Sequence, residues 1–254
     1  MFDISISGRL LIGFAAGALI GSFLAVLAVR MPARRPVVAG RSACDSCGHP
    51  LGPLELVPLL SFLLLRGRCR HCGAPIPALL PLMEIAAGVV GAAVLAVAAG
   101  PTDLYWLLFG WLLLLLAALD LRHFWLPDSL TLTLAGLGLF SASLNHWPPV
   151  NALVGTGCGY LGLEAIRRYY RWRRGHDGMG GGDPKLFGAI GAWLGWQGLP
   201  LALTAAAMIG LMAVGVAALR GTAVHRHLRI PFGTCLALAA FLVWLTQRIG
   251  WLPD

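Results

Sequence analysis

Charge is what this sequence has least of. Of 254 residues, 12% are charged and 58% hydrophobic, where a soluble domain carries roughly 25% charged residues. A soluble globular fold is excluded on that ground, and the mean hydropathy of +0.78 agrees. Lysine is nearly missing: Lys185 stands alone, so the net charge of +8 is almost wholly arginine. The arginines are clustered along the chain and do not form one basic face, which suits membrane topology and leaves no nucleic-acid partner expected. No cleavable leader is expected either. The first apolar run, from Leu10, is long and ends at Arg30 with no small-residue cleavage site.

What is present is a series of long apolar runs. They predict an all-α, polytopic membrane protein of about eight transmembrane helices. The runs are Leu10 to Val29, Leu79 to Ala99, Leu104 to Ala118, Leu130 to Leu144, Val150 to Ile166, Leu186 to Trp196, Pro200 to Leu219 and Phe232 to Leu245. With this count every arginine cluster falls on one side, the inner one by the positive-inside rule. Those clusters are Arg30 to Arg70, Arg122, Arg167 to Arg174 and Arg220 to Arg229. The run Arg167 to Arg174 fixes topology or binds anionic membrane lipid. Gly13, Gly17 and Gly21 recur at the spacing that lets helices approach closely. The expected division is residues 1–30 as a first span, 31–77 as a cytosolic cysteine region and 78–254 as the main membrane domain.

Carboxylates number only 11, so each one near a span is informative. Asp183 ends the glycine-rich stretch Gly178-Met179-Gly180-Gly181-Gly182 and opens an apolar run. Two spans separate it from Asp120, so both aspartates come to the same inner boundary, with Asp128 on that side too. Two close carboxylates cannot both ionise cheaply, and a pair sharing one proton can do acid–base work. Glycines at Gly180 and Gly182 would let a peptide backbone approach. The residues alone leave other readings open: Asp183 as a helix N-cap before Pro184, Asp120 paired with Arg122, or a proton or ion path.

Six cysteines are present. Cys44-x2-Cys47 and Cys69-x2-Cys72 offer four thiolates for a structural zinc ion, in a cytosolic loop where disulfides are disfavoured. Redox pairs and free thiols are the alternatives. With four cysteines available, His49 and His71 are expected to be surface residues, and Cys158 and Cys235 small core residues.

Gly178-Met179-Gly180-x-Gly182-Asp183-x-Lys185-Leu186 and Asp120-x5-Leu126-Pro127-Asp128 closely resemble the type IV prepilin peptidase family. So do Gly21-Ser22-Phe23-Leu24, Pro58-x-Leu60-Ser61 and Leu65-Arg66-Gly67-Arg68-Cys69-Arg70-x-Cys72. The resemblance implies a bacterial inner-membrane aspartic endopeptidase with Asp120 and Asp183 as the catalytic pair. Gly180, Gly182, Asp128 and Lys185 would support them. It would cleave prepilin or pseudopilin leaders at the cytoplasmic face. It also implies methyl transfer to the new amino terminus from S-adenosylmethionine, with Glu84 as the candidate contact. The chain departs from the family pattern at Ala25 and across Pro77 to Pro81. A peptidase without methyl transfer, a protease cutting inside the bilayer, and a zinc-bearing scaffold without activity are the rival expectations.

Overall fold

A computed structural model describes residues 5–36, 42–144, 148–220 and 230–250. Arg41, Arg226 and Arg229 of the arginine clusters, and the loop residues Asn145, His225 and His227, lie outside the described residues. Among those described there is no β-strand, only two isolated bridges. The helices are α1 (Ile6–Arg30), α2 (Leu60–Leu64), α3 (Leu79–Val97), α4 (Tyr105–His123), α5 (Asp128–Leu144), α6 (Pro149–Arg174), α7 (Asp183–Leu219) and α8 (Phe232–Arg248).

Four segments are long and apolar enough to cross a bilayer: Ile6–Arg30, Leu79–Val97, Pro101–His123 and Asp183–Leu219. Asp128–Leu144 and Phe232–Arg248 are shorter apolar helices. The eight expected spans fall on these helices and α6, two of them on α7. At 37 residues, α7 would be about 55 Å long if straight, nearly twice the hydrocarbon thickness. It is broken at Gly195, whose φ of 67° and ψ of 178° interrupt the helix. That backbone lies in the region L side chains avoid, and Pro200 follows on the other side of the break. The expected ends shift elsewhere. The arginine run after Ile166 is the last two turns of α6, and Asp120 sits inside the last turn of α4.

The chain forms two compact units, residues 1–115 and 116–254. In the first, α1 lies along α3. Lipid tails are as apolar as leucine, so close backbone contact must do what hydrophobic burial does in water. Here it does: a Cβ on Gly17 would collide with the Ala87 carbonyl, and one on Gly21 would come 2.5 Å from the Met83 carbonyl oxygen. Trp111 Nε1 donates to the Ala87 carbonyl at 3.1 Å.

In the second unit, the first limb of α7 is the core. Leu186 to Gly195 are all buried, with α5, α6 and α8 packed against the helix. A limb so enclosed faces protein on every side, so its short length costs little. Met208, Leu211 and Met212 on the second limb are exposed, as a lipid-facing helix requires. Gly155 meets Gly191 backbone to backbone, and Trp193 Nε1 donates to the Leu134 carbonyl at 2.8 Å.

Candidate active site

Asp120 and Asp183 line one cleft of about 270 Å3 in the second unit, together with Phe124, Trp125, Gly180 to Gly182, Ile230 and Phe232. Each aspartate is only 5% exposed. Neither takes the structural role left open above. Asp183 is the first residue of α7 and caps nothing there; its Oδ2 accepts the Gly180 N–H at 3.0 Å, closing the glycine loop on itself. Asp120 bonds Thr234 and, among the described residues, forms no ion pair with Arg122: Oδ2 accepts the Thr234 N–H at 2.7 Å and its hydroxyl at 3.2 Å.

The glycine loop is held from two sides. A Cβ on Gly182 would stand 2.7 Å from Leu126 Cβ, so the loop reaches the α4–α5 turn only because that atom is missing. Lys185 Nζ donates to Asp128 Oδ1 at 2.6 Å, tying the start of α7 to the start of α5. All four predicted supporting residues thus touch the loop or the turn that carries the aspartates.

Sequence reasoning missed two further groups. Buried Glu164 accepts from Arg167 Nε at 2.9 Å and Arg168 Nε at 2.7 Å. Arg167 Nη1 also lies 3.8 Å from Asp177 Oδ1, and a Cβ on Gly181 would be 3.4 Å from Nη1. Arg167 therefore braces the glycine loop as well as counting toward topology. The signal was legible: a carboxylate in an apolar run with arginines three and four residues on. The second group, Gly233 and Thr234, begins α8 and carries no local signal at all.

The first unit holds the cysteine cluster. The two hairpins repeat one pattern. Cys44 N–H donates to the His49 carbonyl at 2.9 Å and Gly48 N–H to the Cys44 carbonyl at 2.8 Å. Cys69 N–H and Gly73 N–H do the same to Ala74 and Cys69, at 2.8 and 3.0 Å. Gly48 and Gly73 have φ of 69° and 70°, which turns each chain back after its second cysteine. All four sulfurs lie within 4.8 Å of one another. A tetrahedral zinc site with Zn–S near 2.3 Å sets sulfurs about 3.8 Å apart, and Cys44 and Cys72 Sγ are at 3.9 Å. The four donors fit that ion. The N–H groups of Cys47 and Ser46 lower the Cys44 thiol to about 7. The Ala74 N–H favours the Cys72 thiolate too, but desolvation and the neighbouring sulfurs outweigh it and push that thiol up to about 11. His49 and His71 are exposed and stack on each other, with centroids 3.4 Å apart.

Beside the cysteine cluster, the first unit encloses a cavity of about 500 Å3. Glu84 is the buried carboxylate in its wall, and its Oε2 accepts the Leu59 N–H at 2.8 Å. Ala25, Pro77, Leu80 and Pro81 line the same cavity, with Arg30, Arg35 and Arg70 around it.

The fold and cleft define a helical membrane protein with two buried carboxylates facing one opening. Comparison with known proteins supplies the family. The family model described as the Bacterial Peptidase A24 N-terminal domain matches residues 15–98, and that of the Type IV leader peptidase family matches residues 107–215. A prepilin leader peptidase/N-methyltransferase of Aeromonas hydrophila is 42% identical over 83% of this chain and 74% of its own. One from Burkholderia pseudomallei is 43% identical over 82% of this chain and 67% of its own. The protein of that name from Pseudomonas aeruginosa is 34% identical over 90% and 87%. No solved structure matches. The chain belongs to the type IV leader peptidase family.

Proposed function

We propose that this protein is an aspartic endopeptidase of the bacterial inner membrane that removes the leader from type IV prepilins or pseudopilins and then methylates the new amino terminus. The observation that carries the reading is the meeting of Asp120 and Asp183, from helix ends far apart in sequence, in one cleft roofed by glycine. The arginine clusters on the same side support a cytoplasmic position for that cleft.

In the proposed reaction one aspartate is ionised and the other protonated. The ion takes a proton from water as the water oxygen attacks the scissile carbonyl carbon. The neutral partner gives its proton to the carbonyl oxygen. Collapse of the tetrahedral intermediate breaks the C–N bond: the proton held by the first aspartate goes to the departing amine, and one hydroxyl of the diol returns its proton to the second, restoring the starting pair. Such a pair titrates as a unit. The glycine loop admits an extended backbone beside Asp183, and Phe124, Trp125 and Phe232 supply the apolar wall.

Cys44, Cys47, Cys69 and Cys72 would hold zinc. All four places around the ion are then sulfur, so its part is structural. For S-adenosylmethionine, the cavity of the first unit fits: its volume falls in the range of small-molecule sites. Buried Glu84 offers an anion to a cationic sulfur, and Arg30, Arg35 and Arg70 offer partners to a carboxylate. When bound, the cofactor supplies the methyl group. The apolar residues at Ala25, Pro77 and Pro81, where the sequence departs from its family, all face this cavity, so shape more than hydrogen bonding holds the ligand there.

The test is cleavage of a full-length type IV prepilin in detergent, with mass spectrometry of the new amino terminus. Asp120→Asn and Asp183→Asn each lower kcat by about 10^3-fold or more while the protein stays folded. A gain of one methyl mass on the wild-type product follows only when S-adenosylmethionine is added. Full cleavage by either variant overturns the dyad; an unmodified product overturns the methyl transfer.

A further inference from the structure

Asp120 and Thr234 are separated by 114 residues, yet they share the tightest hydrogen bond made by either aspartate. The start of a helix leaves its first N–H groups without partners. At α8 the residue before the first turn is Pro231, whose side chain caps nothing. The cap comes from another helix: Asp120, on α4, accepts the Thr234 N–H at 2.7 Å. A carboxylate there is also favoured by the helix dipole. The approach needs Gly233, where a Cβ would lie 3.0 Å from Asp120 Oδ2 and 2.8 Å from Leu126 Cδ1.

The hydroxyl of Thr234 adds a second bond to the same oxygen. It stands 3.2 Å from Asp120 Oδ2 and 3.0 Å from the Ala117 carbonyl oxygen. It has one proton and two acceptors. Both Thr234 donors fall on Oδ2 and neither on Oδ1.

We infer that Thr234 is a positioning residue for the reaction proposed above, on which this inference rests: it fixes the rotamer of Asp120 and follows its proton. While Asp120 is ionised, the hydroxyl donates to Oδ2. When Asp120 takes up a proton, the hydroxyl turns to the Ala117 carbonyl and ceases to compete for it. The amide N–H holds the carboxylate in place through both states.

Thr234→Val keeps the shape and the backbone N–H but removes the hydroxyl; Thr234→Ser restores it. In the full-length protein, with a type IV prepilin as substrate, the valine variant lowers kcat by about 10- to 100-fold, the range expected for one hydrogen bond to a charged group. KM stays within about 2-fold, and the serine variant recovers kcat to within about 3-fold of wild type. A residue that only packs would not give this split or this rescue. Wild-type kcat in the valine variant, or a serine variant as slow as valine, overturns the inference. Thr234→Ala read against Thr234→Ser makes the same comparison should valine fail to fold. Wild type and Asp120→Asn run alongside. If wild type leaves the prepilin uncut, the peptidase reading falls and takes this inference with it. If wild type cuts, Asp120→Asn is dead and Thr234→Val is fully active, the role of Thr234 alone falls.

Discussion

The cysteine cluster of the first unit and the acid cleft of the second are built in opposite ways. Each cysteine hairpin is local. Its turn, its hydrogen bonds and its glycine lie within one short stretch, and the second hairpin repeats the first bond for bond. The cleft is assembled from the end of α4, the glycine loop before α7 and the start of α8, with Asp120 and Thr234 drawn together across the whole unit. A local site depends on backbone conformation. An assembled one depends on how closely helices can pack, so remote bulk should damage it more than any local change.

Gly233→Val is the sharpest way to break that contrast. The added side chain meets Leu126 and Asp120 at once, and overpacking of this kind costs about 1–3 kcal/mol. A reacting group displaced by about 1 Å is expected to lose about 100-fold in rate. Cleavage kinetics and a melting curve check both. Gly48→Ala is the control in the local site. It has open space around it and only its φ of 69° to strain, so it is expected to cost about 1 kcal/mol and leave cleavage unchanged. Equal loss in the two variants would remove the distinction.

The same contrast explains what could be read from the chain. The eight spans, the zinc-type cysteines and the aspartate pair rest on spacing, parity and apolar length, all of which are visible in order along the sequence. The Asp128–Lys185 tie, which joins two motifs 57 residues apart, was expected only as support. The break of α7 at Gly195 falls inside the end of the run read as Leu186 to Trp196, just before the gap to the next span at Pro200, so a boundary was seen there but neither its exact place nor its cause. Thr234 was invisible for a physical reason. A threonine early in an apolar helix is unremarkable, and its meaning comes from a carboxylate contributed by another helix. Arg167 was passed over inside a run of arginines: the spacing from Glu164 marks Arg167 and Arg168 as its partners, but nothing local says that Arg167 also reaches Asp177 in the glycine loop.

Metal removal probes the local site on its own. Structural zinc bound by four thiolates contributes folding free energy directly, and residues 42–76 otherwise contain only short helical turns. Treatment with a chelator at neutral pH is therefore expected to remove hydrogen-exchange protection from residues 42–76 and to leave α5 to α8 protected. Prepilin cleavage should fall less than methyl transfer, because Cys44 and Cys69 also line the cavity of the first unit. Protection lost evenly through both units would mean that the cysteine region stabilises the whole chain.

The smallest effect is expected at Lys185. Its bond to Asp128 is short at 2.6 Å, yet the lysine side chain is 40% exposed and the aspartate 62%. Exposed ion pairs contribute about 0–1 kcal/mol because water and salt screen them. The glycine loop has three other restraints: the packing of Gly182 on Leu126, the Gly180 bond to Asp183 and the Arg167 brace from α6. Lys185→Ala is therefore expected to lower kcat by no more than about 5-fold, with most of the loss recovered in Lys185→Arg. The Lys185→Ala defect should resemble what high salt does to the wild type. A loss as large as that of Gly233→Val would place Lys185 in direct contact with the substrate, since a screened tie between two loops cannot supply an effect of that size.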